Sequence, residues 1–163
     1  MAAAVELMRP KQWIKNFFVF AAIIFSGNFL KLNLLKINVI TFVLFCFTSS
    51  IIYILNDIVD IEKDKCHPSK RKRPLPSGRI SKRTAVVLDI VLFILVVFFS
   101  CIFLNVKILS IYLIYIAVNI WYSFMLKNLV IIDVMTIAFG FVLRVESGSI
   151  ATGANVSPWL FLC

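Results

Sequence analysis

Residues 37–55 run for 19 positions without a charged side chain. Four more apolar runs share this character: 17–30, 84–106 interrupted only by Asp89, 108–126 without a charge, and 130–143 with Asp133 in its first turn. A helix that crosses a bilayer needs about 20 such residues, with tolerance to about 17. The first and last runs fall short and need their flanks. None alternates with a period of two, so in lipid the backbone can satisfy its hydrogen bonds only as helix. The composition agrees, with 61% hydrophobic residues and 16 Phe against 5 Gly, and a mean hydropathy of +0.98. The expected fold is all-α: a polytopic transmembrane helical bundle, one membrane domain over 1–163, with a polar segment at 56–83. The start of the chain, 1–16, is polar and basic and does not read as a cleavable signal peptide.

Lys and Arg set the expected orientation. The N-terminal segment carries Arg9, Lys11 and Lys15. The stretch 63–83 carries Lys63, Lys65, Lys70, Arg71, Lys72, Arg73, Arg79, Lys82 and Arg83, and Lys127 follows on that side. Lys31, Lys36 and Lys107 fall on the other side, and Arg144 is undecided. The positive-inside rule then puts the N-terminus and the 56–83 segment in the cytoplasm. The formal charge of +9 is a property of that face. It does not indicate nucleic acid, because the cations flank membrane runs and carry no recognition fold.

The 37–55 run leads straight into Asn56-Asp57-Ile58-Val59-Asp60-Ile61-Glu62-Lys63-Asp64. Carboxylates at a membrane boundary are costly unless offset. Asp57, Asp60 and Asp64 are spaced by three and four, which on a helix gives one face. Three like charges there call for a cation, and oxygen-only ligation suits Mg²⁺ completed by water and substrate phosphates. Next comes the cluster Lys70-Arg71-Lys72-Arg73 in a loop broken by Pro68, Pro74, Pro76 and Gly78. Carboxylates for a metal beside several cations match a diphosphate ligand. The plainer reading is a loop that sets topology and touches anionic lipid. Ser81 is the expected N-cap of the next helix.

Other positions admit two readings each. Lys11 and Lys15 are four apart and share a helical face. They form an amphipathic anchor with Trp13 at the interface, or they reach the same phosphates from the opposite side. Tyr122, Ser123 and Lys127 line the site, or Lys127 only snorkels. His67 before Pro68 reads as a turn residue rather than a metal ligand. Asp89 and Asp133 cap helices or pair with cations. Cys46, Cys66, Cys101 and Cys163 have no metal spacing and read as small hydrophobes. Ser157-Pro158 followed by apolar residues looks like the start of a sixth spanning helix, cut short in a truncated product or fragment.

Taken together these residues resemble a known family. The Asn-Asp-x-x-Asp-x-x-x-Asp element at 56–64 is similar to the first aspartate motif of the UbiA superfamily of intramembrane prenyltransferases. Arg9-Pro10-Lys11-Gln12-Trp13-Ile14-Lys15-Asn16, His67-Pro68-x-Lys70-x-x-Arg73-Pro74, Ser77-Gly78, Tyr122-Ser123-x-x-Leu126-Lys127 and Gly140-Phe141-Val142-Leu143-Arg144 look like its decaprenyl-phosphate phosphoribosyltransferase branch. The resemblance covers about 8–163. It implies nine helices around a central cavity in a bacterial-type inner membrane, of which this chain would carry five and the start of a sixth. It implies Mg²⁺-dependent transfer of a 5-phosphoribosyl group from phosphoribosyl diphosphate to a polyprenyl phosphate. Asp57, Asp60 and Asp64 would hold the metal, Asn56 would assist, and Lys11, Lys15, Lys70 and Arg73 would bind phosphate oxygens. The family's second aspartate motif lies beyond residue 163. Lys65 stands where this branch more often has Arg. The alternatives are an aromatic prenyltransferase with a polyprenyl diphosphate donor, and a non-catalytic truncated membrane paralogue.

Overall fold

The apolar runs do become helices, but with ends set by polar residues. The computed structural model describes residues 2–123 and 130–154. The order is α1 (Ala2–Leu7), a 3₁₀ helix (Pro10–Phe20), α2 (Ala21–Phe25), a 3₁₀ turn (Asn28–Leu30), α3 (Leu32–Val59), α4 (Ile61–Cys66), a 3₁₀ turn (Lys70–Lys72), α5 (Lys82–Phe103), α6 (Val106–Trp121) and α7 (Val130–Thr152). No strand occurs among the described residues. Three helices are long and apolar enough to cross a membrane, at Leu32–Val59, Lys82–Phe103 and Ile132–Thr152, and Val106–Trp121 is a shorter apolar helix.

The caps follow the side chains. Ser81 accepts the Thr84 amide at 3.1 Å, as expected, and starts α5. Asn105 does the same for α6 through the Ile108 amide at 3.0 Å. Each such cap is worth about 1 kcal/mol. The run 17–30 is not one helix. Its first part is 3₁₀, and Gly27 at φ 70° breaks it. The expected start of a sixth helix at Ser157 lies outside the described residues.

α3 is the central element and packs against α5, α6, α7 and the long 3₁₀ helix. Its face toward the N-terminal segment carries small hydroxyls, which let the two backbones approach and then bond. Ser50 donates to the Met8 carbonyl at 2.9 Å and accepts from the Trp13 indole at 3.1 Å. Asn16 is fully buried and donates to Ser49 Oγ at 3.1 Å. Trp13 is half-buried and packs edge to face against Phe47. On the α6 side, Phe45 meets Tyr112 edge to face at 5.5 Å, and the Tyr112 hydroxyl donates to the Thr41 carbonyl at 3.0 Å. α5 keeps Val87, Ile90, Ile94, Phe98 and Ile102 exposed, an apolar face of the kind that lipid solvates. α7 is longer than the run 130–143, and Arg144 lies within it, buried.

Candidate active site

α3 ends where the carboxylates begin. Asp57 lies in its last turn, and the backbone leaves the helical region at Asp60, at φ −92° and ψ 10°, before α4 starts at Ile61. This bridge conformation is common at sites. Backbone bonding continues across this corner, the Asp64 amide donating to the Asp60 carbonyl at 2.8 Å. Asp57 and Asp64 face inward and are 2% and 3% exposed, whereas Asp60 is half-buried at the corner. The three aspartates expected on one face thus differ in burial, two of them buried and Asp60 half-buried. No group of three or more His, Cys, Asp or Glu among the described residues is arranged to hold a metal. Two carboxylates converge instead.

What joins them is Arg73. Its Nη1 donates to Asp64 Oδ2 at 2.7 Å and to Asp57 Oδ1 at 3.2 Å. Lys70 Nζ stands 3.7 Å from the other oxygen of Asp64. Arg9 donates to Asp57 Oδ1 from the N-terminal side and also lies over the Tyr53 ring, 5.1 Å from its centroid. Buried carboxylates are tolerable only with such pairing. Three cations face two carboxylates, so the cluster is net positive, and Lys11 adds to it. A groove of about 540 Å³ lies over the cluster, lined in part by the cations Arg9, Lys11 and Arg73, the carboxylates Glu6 and Asp57, and Gln12. That volume lies within the range of small-molecule sites, about 300–1,000 Å³.

The loop that carries Lys70 and Arg73 is built by its own polar groups. His67 Nδ1 faces the Ser69 and Lys70 amides at 3.3 and 3.4 Å, the turn role expected of it. Ser77 Oγ donates to the Arg73 carbonyl at 2.6 Å, and Gly78 takes φ 74°, a conformation that favours glycine. Arg79 bonds both carboxylate oxygens of Glu6, at 2.8 and 3.0 Å, and so ties the loop to α1. That bond holds the Glu6 carboxyl below its ordinary range.

The remaining candidates separate. Asn56 is half-buried, and its carbonyl accepts the Asp60 amide at 2.9 Å. Lys15 and Tyr122 do not reach the groove and line a second, inner cavity that Tyr53 also borders. Tyr122 donates to Asp133 at 2.8 Å, which gives Asp133 the partner the sequence did not reveal. Lys127 lies outside the described residues. Two participants escaped the sequence reading. Arg9 was visible only as part of a motif, and its aspartate partner is 48 residues away. Arg144 is not placed by the apolar pattern, because its helix extends past the run 130–143.

The fold is a bundle of candidate membrane-spanning helices with a groove that gathers cations over a buried carboxylate. The UbiA prenyltransferase family model matches residues 16–163, and the chain belongs to that family. It is 35% identical over 161 residues to the decaprenyl-phosphate phosphoribosyltransferase of Corynebacterium glutamicum, covering 97% of this chain and 48% of that protein. Its fold matches a solved structure described as digeranylgeranylglyceryl phosphate synthase with a TM-score of 0.81, at 27% identity, over 99% of this chain and 57% of that one. It also matches a UbiA homolog from Archaeoglobus fulgidus bound to GPP and Mg²⁺ with a TM-score of 0.76, at 22% identity, over 98% and 57%. The chain therefore spans about half the length of the curated relatives it matches.

Proposed function

We propose that this chain carries the donor-binding site of a transferase that moves a 5-phosphoribosyl group from phosphoribosyl diphosphate to a polyprenyl phosphate at the membrane. The observation that carries the reading is the pair of buried carboxylates, Asp57 and Asp64, gathered on one guanidinium beneath a groove lined with cations. The likeness to decaprenyl-phosphate phosphoribosyltransferases supports this substrate pair.

The residues fit Mg²⁺. They offer hard oxygen donors, and a cationic nitrogen already lies within 3.2 Å of both carboxylates, so one cation can serve both. Mg²⁺ takes one or two carboxylates and completes its shell with water and substrate phosphates. Asp57 and Asp64 would hold it, with Asp60 beside them. A metal held there would supply charge neutralisation for the leaving diphosphate. Arg9, Lys11, Lys70 and Arg73 bind the diphosphate oxygens and stabilise the charge that grows as the anomeric carbon–oxygen bond breaks. The lipid phosphate oxygen forms the new bond to that carbon. Arg73 changes partners in this scheme, from carboxylate toward phosphate. The groove belongs on the cytoplasmic side of an inner membrane, where a soluble diphosphate is available.

A second reading takes a prenyl diphosphate as donor, the kind of ligand with which the similarly folded Archaeoglobus fulgidus UbiA homolog is described. The test is Mg²⁺-dependent binding to the purified chain in nanodiscs. Phosphoribosyl diphosphate should bind, geranyl diphosphate should compete poorly, and Asp57→Asn should abolish binding. Equal binding with and without Mg²⁺, or preference for geranyl diphosphate, overturns the phosphoribosyl reading.

A further inference from the structure

Arg144 is 5% exposed, inside α7, and no carboxylate pairs with it among the described residues. A buried cation without an anion calls for a reason. Its partners are neutral and hold it from three sides. Nε donates to Asn16 Oδ1 at 2.8 Å and Nη2 to the Tyr115 hydroxyl at 3.0 Å. The rings of Phe45, Tyr115 and Phe141 lie with centroids 5.2 to 5.3 Å from Cζ. Aromatic faces stabilise a cation without cancelling its charge. Asn16 is itself fixed by Ser49 at 3.1 Å, so the guanidinium is aimed rather than merely accommodated.

What it is aimed into is the inner cavity, about 130 Å³, which Arg144 lines together with Lys15, Asn119, Tyr122 and Asp133. Gly140 leaves room beside Nη1, since a Cβ there would stand 3.0 Å from it. Two cations outnumber the one carboxylate, and Asp133 already accepts from Tyr122. The volume is well under the range for a whole ligand, about 300 Å³ upward, so the cavity takes a headgroup and not a chain. It is adjacent to the Asp57 groove through Tyr53, which lines the cavity while Arg9 lies over its ring.

We propose that Arg144 and Lys15 form an anion subsite for a phosphomonoester, separate from the diphosphate groove. Two sources share this chemistry: the 5-phosphate of a ribose donor and the headgroup of a lipid phosphate acceptor. The choice between them rests on the transferase reading above, but the site itself does not.

The test uses the full chain in nanodiscs with three probes: ribose 5-phosphate, farnesyl monophosphate and Mg²⁺–pyrophosphate. Arg144→Gln and Lys15→Gln should each weaken one phosphomonoester by about tenfold or more, as for loss of a charge-assisted hydrogen bond. Mg²⁺–pyrophosphate should stay within twofold, and Asp57→Asn should give the opposite pattern. Lys15 is exposed, so its variant reports even if Arg144→Gln fails to fold. Loss confined to ribose 5-phosphate assigns the donor's far end to the cavity, and loss confined to farnesyl monophosphate assigns the acceptor headgroup. Loss of both supports the subsite for either source. If the parent chain binds neither phosphomonoester, or if Lys15→Gln leaves both unchanged, the subsite is overturned while the groove stands. If only Mg²⁺–pyrophosphate fails to bind, the transferase reading falls and the subsite stands.

Discussion

One nitrogen of Arg73 bridges Asp57 and Asp64, at 3.2 and 2.7 Å, across the break that ends α3. The contact joins the last turn of a spanning helix to a loop, so it is a structural tie as well as a site. Removing a partner from a buried ion pair leaves an uncompensated charge. Arg73→Gln should destabilise the chain by about 3 kcal/mol, moderated because Arg9 and Lys70 remain. Combined with Asp57→Asn, the loss should be smaller than the sum of the single losses, because both changes strike one network. Unfolding of the four proteins in one detergent measures this coupling, and strict additivity would contradict the bridge.

Gly148 sits where α7 meets the N-terminal 3₁₀ helix. A Cβ there would lie 1.9 Å from the Val19 carbonyl oxygen, which is backbone and cannot swing aside. Gly148→Ala should cost at least about 2 kcal/mol, the usual scale for overpacking. Gly140→Ala meets only the Arg144 and Tyr115 side chains, at 3.0 and 3.5 Å, and should cost less. Yield of folded protein and melting temperature rank the two; the reverse order would mean that the helices are not this close.

The Glu6–Arg79 pair predicts a pH dependence. The hydrogen bond from Arg79 lowers the Glu6 carboxyl from its ordinary 4.5 in the folded chain. A lowered folded value means that the pair contributes above the unfolded value and that the contribution is lost as pH falls through the folded one. Glu6→Gln should therefore melt below the parent at pH 7, with the gap closing as the pH drops below 4.5. Both groups are exposed, so the gap should also narrow in 1 M salt, where the screening length is about 3 Å.

Much of this was legible because lipid admits few solutions. Uncharged runs, the Ser81 cap and the approximate ends of α5 and α6 follow from local chemistry alone. The site was legible in composition but not in arrangement. The spacing of Asp57, Asp60 and Asp64 does not tell that two of them are buried and Asp60 half-buried. Lys11 and Lys15 separate further. Four residues on an α-helix return to nearly the same face, but at three residues per turn they diverge by about 120°. The segment is 3₁₀, so Lys11 lines the outer groove and Lys15 the inner cavity. The segment's tight winding against the hydroxyl face of α3 is a tertiary effect that no local pattern announces.

Arg9 gives a last prediction, because two effects oppose each other there. It is the one described non-glycine residue with positive φ, 53°, a conformation costing L-residues about 1–2 kcal/mol. Its ion pair with Asp57 and its place over Tyr53 offset that cost. Arg9→Ala keeps the strain and loses the pair, whereas Arg9→Gly loses the pair and relieves the strain. Both should be less stable than the parent, with Gly above Ala by about 1 kcal/mol. Both should weaken Mg²⁺–pyrophosphate binding alike, since the lost guanidinium is common to them. If Ala matched Gly in stability, the left-handed backbone at Arg9 would not be a feature of the folded chain. If binding followed stability instead of charge, Arg9 would be a hinge of the N-terminal segment and not a phosphate ligand.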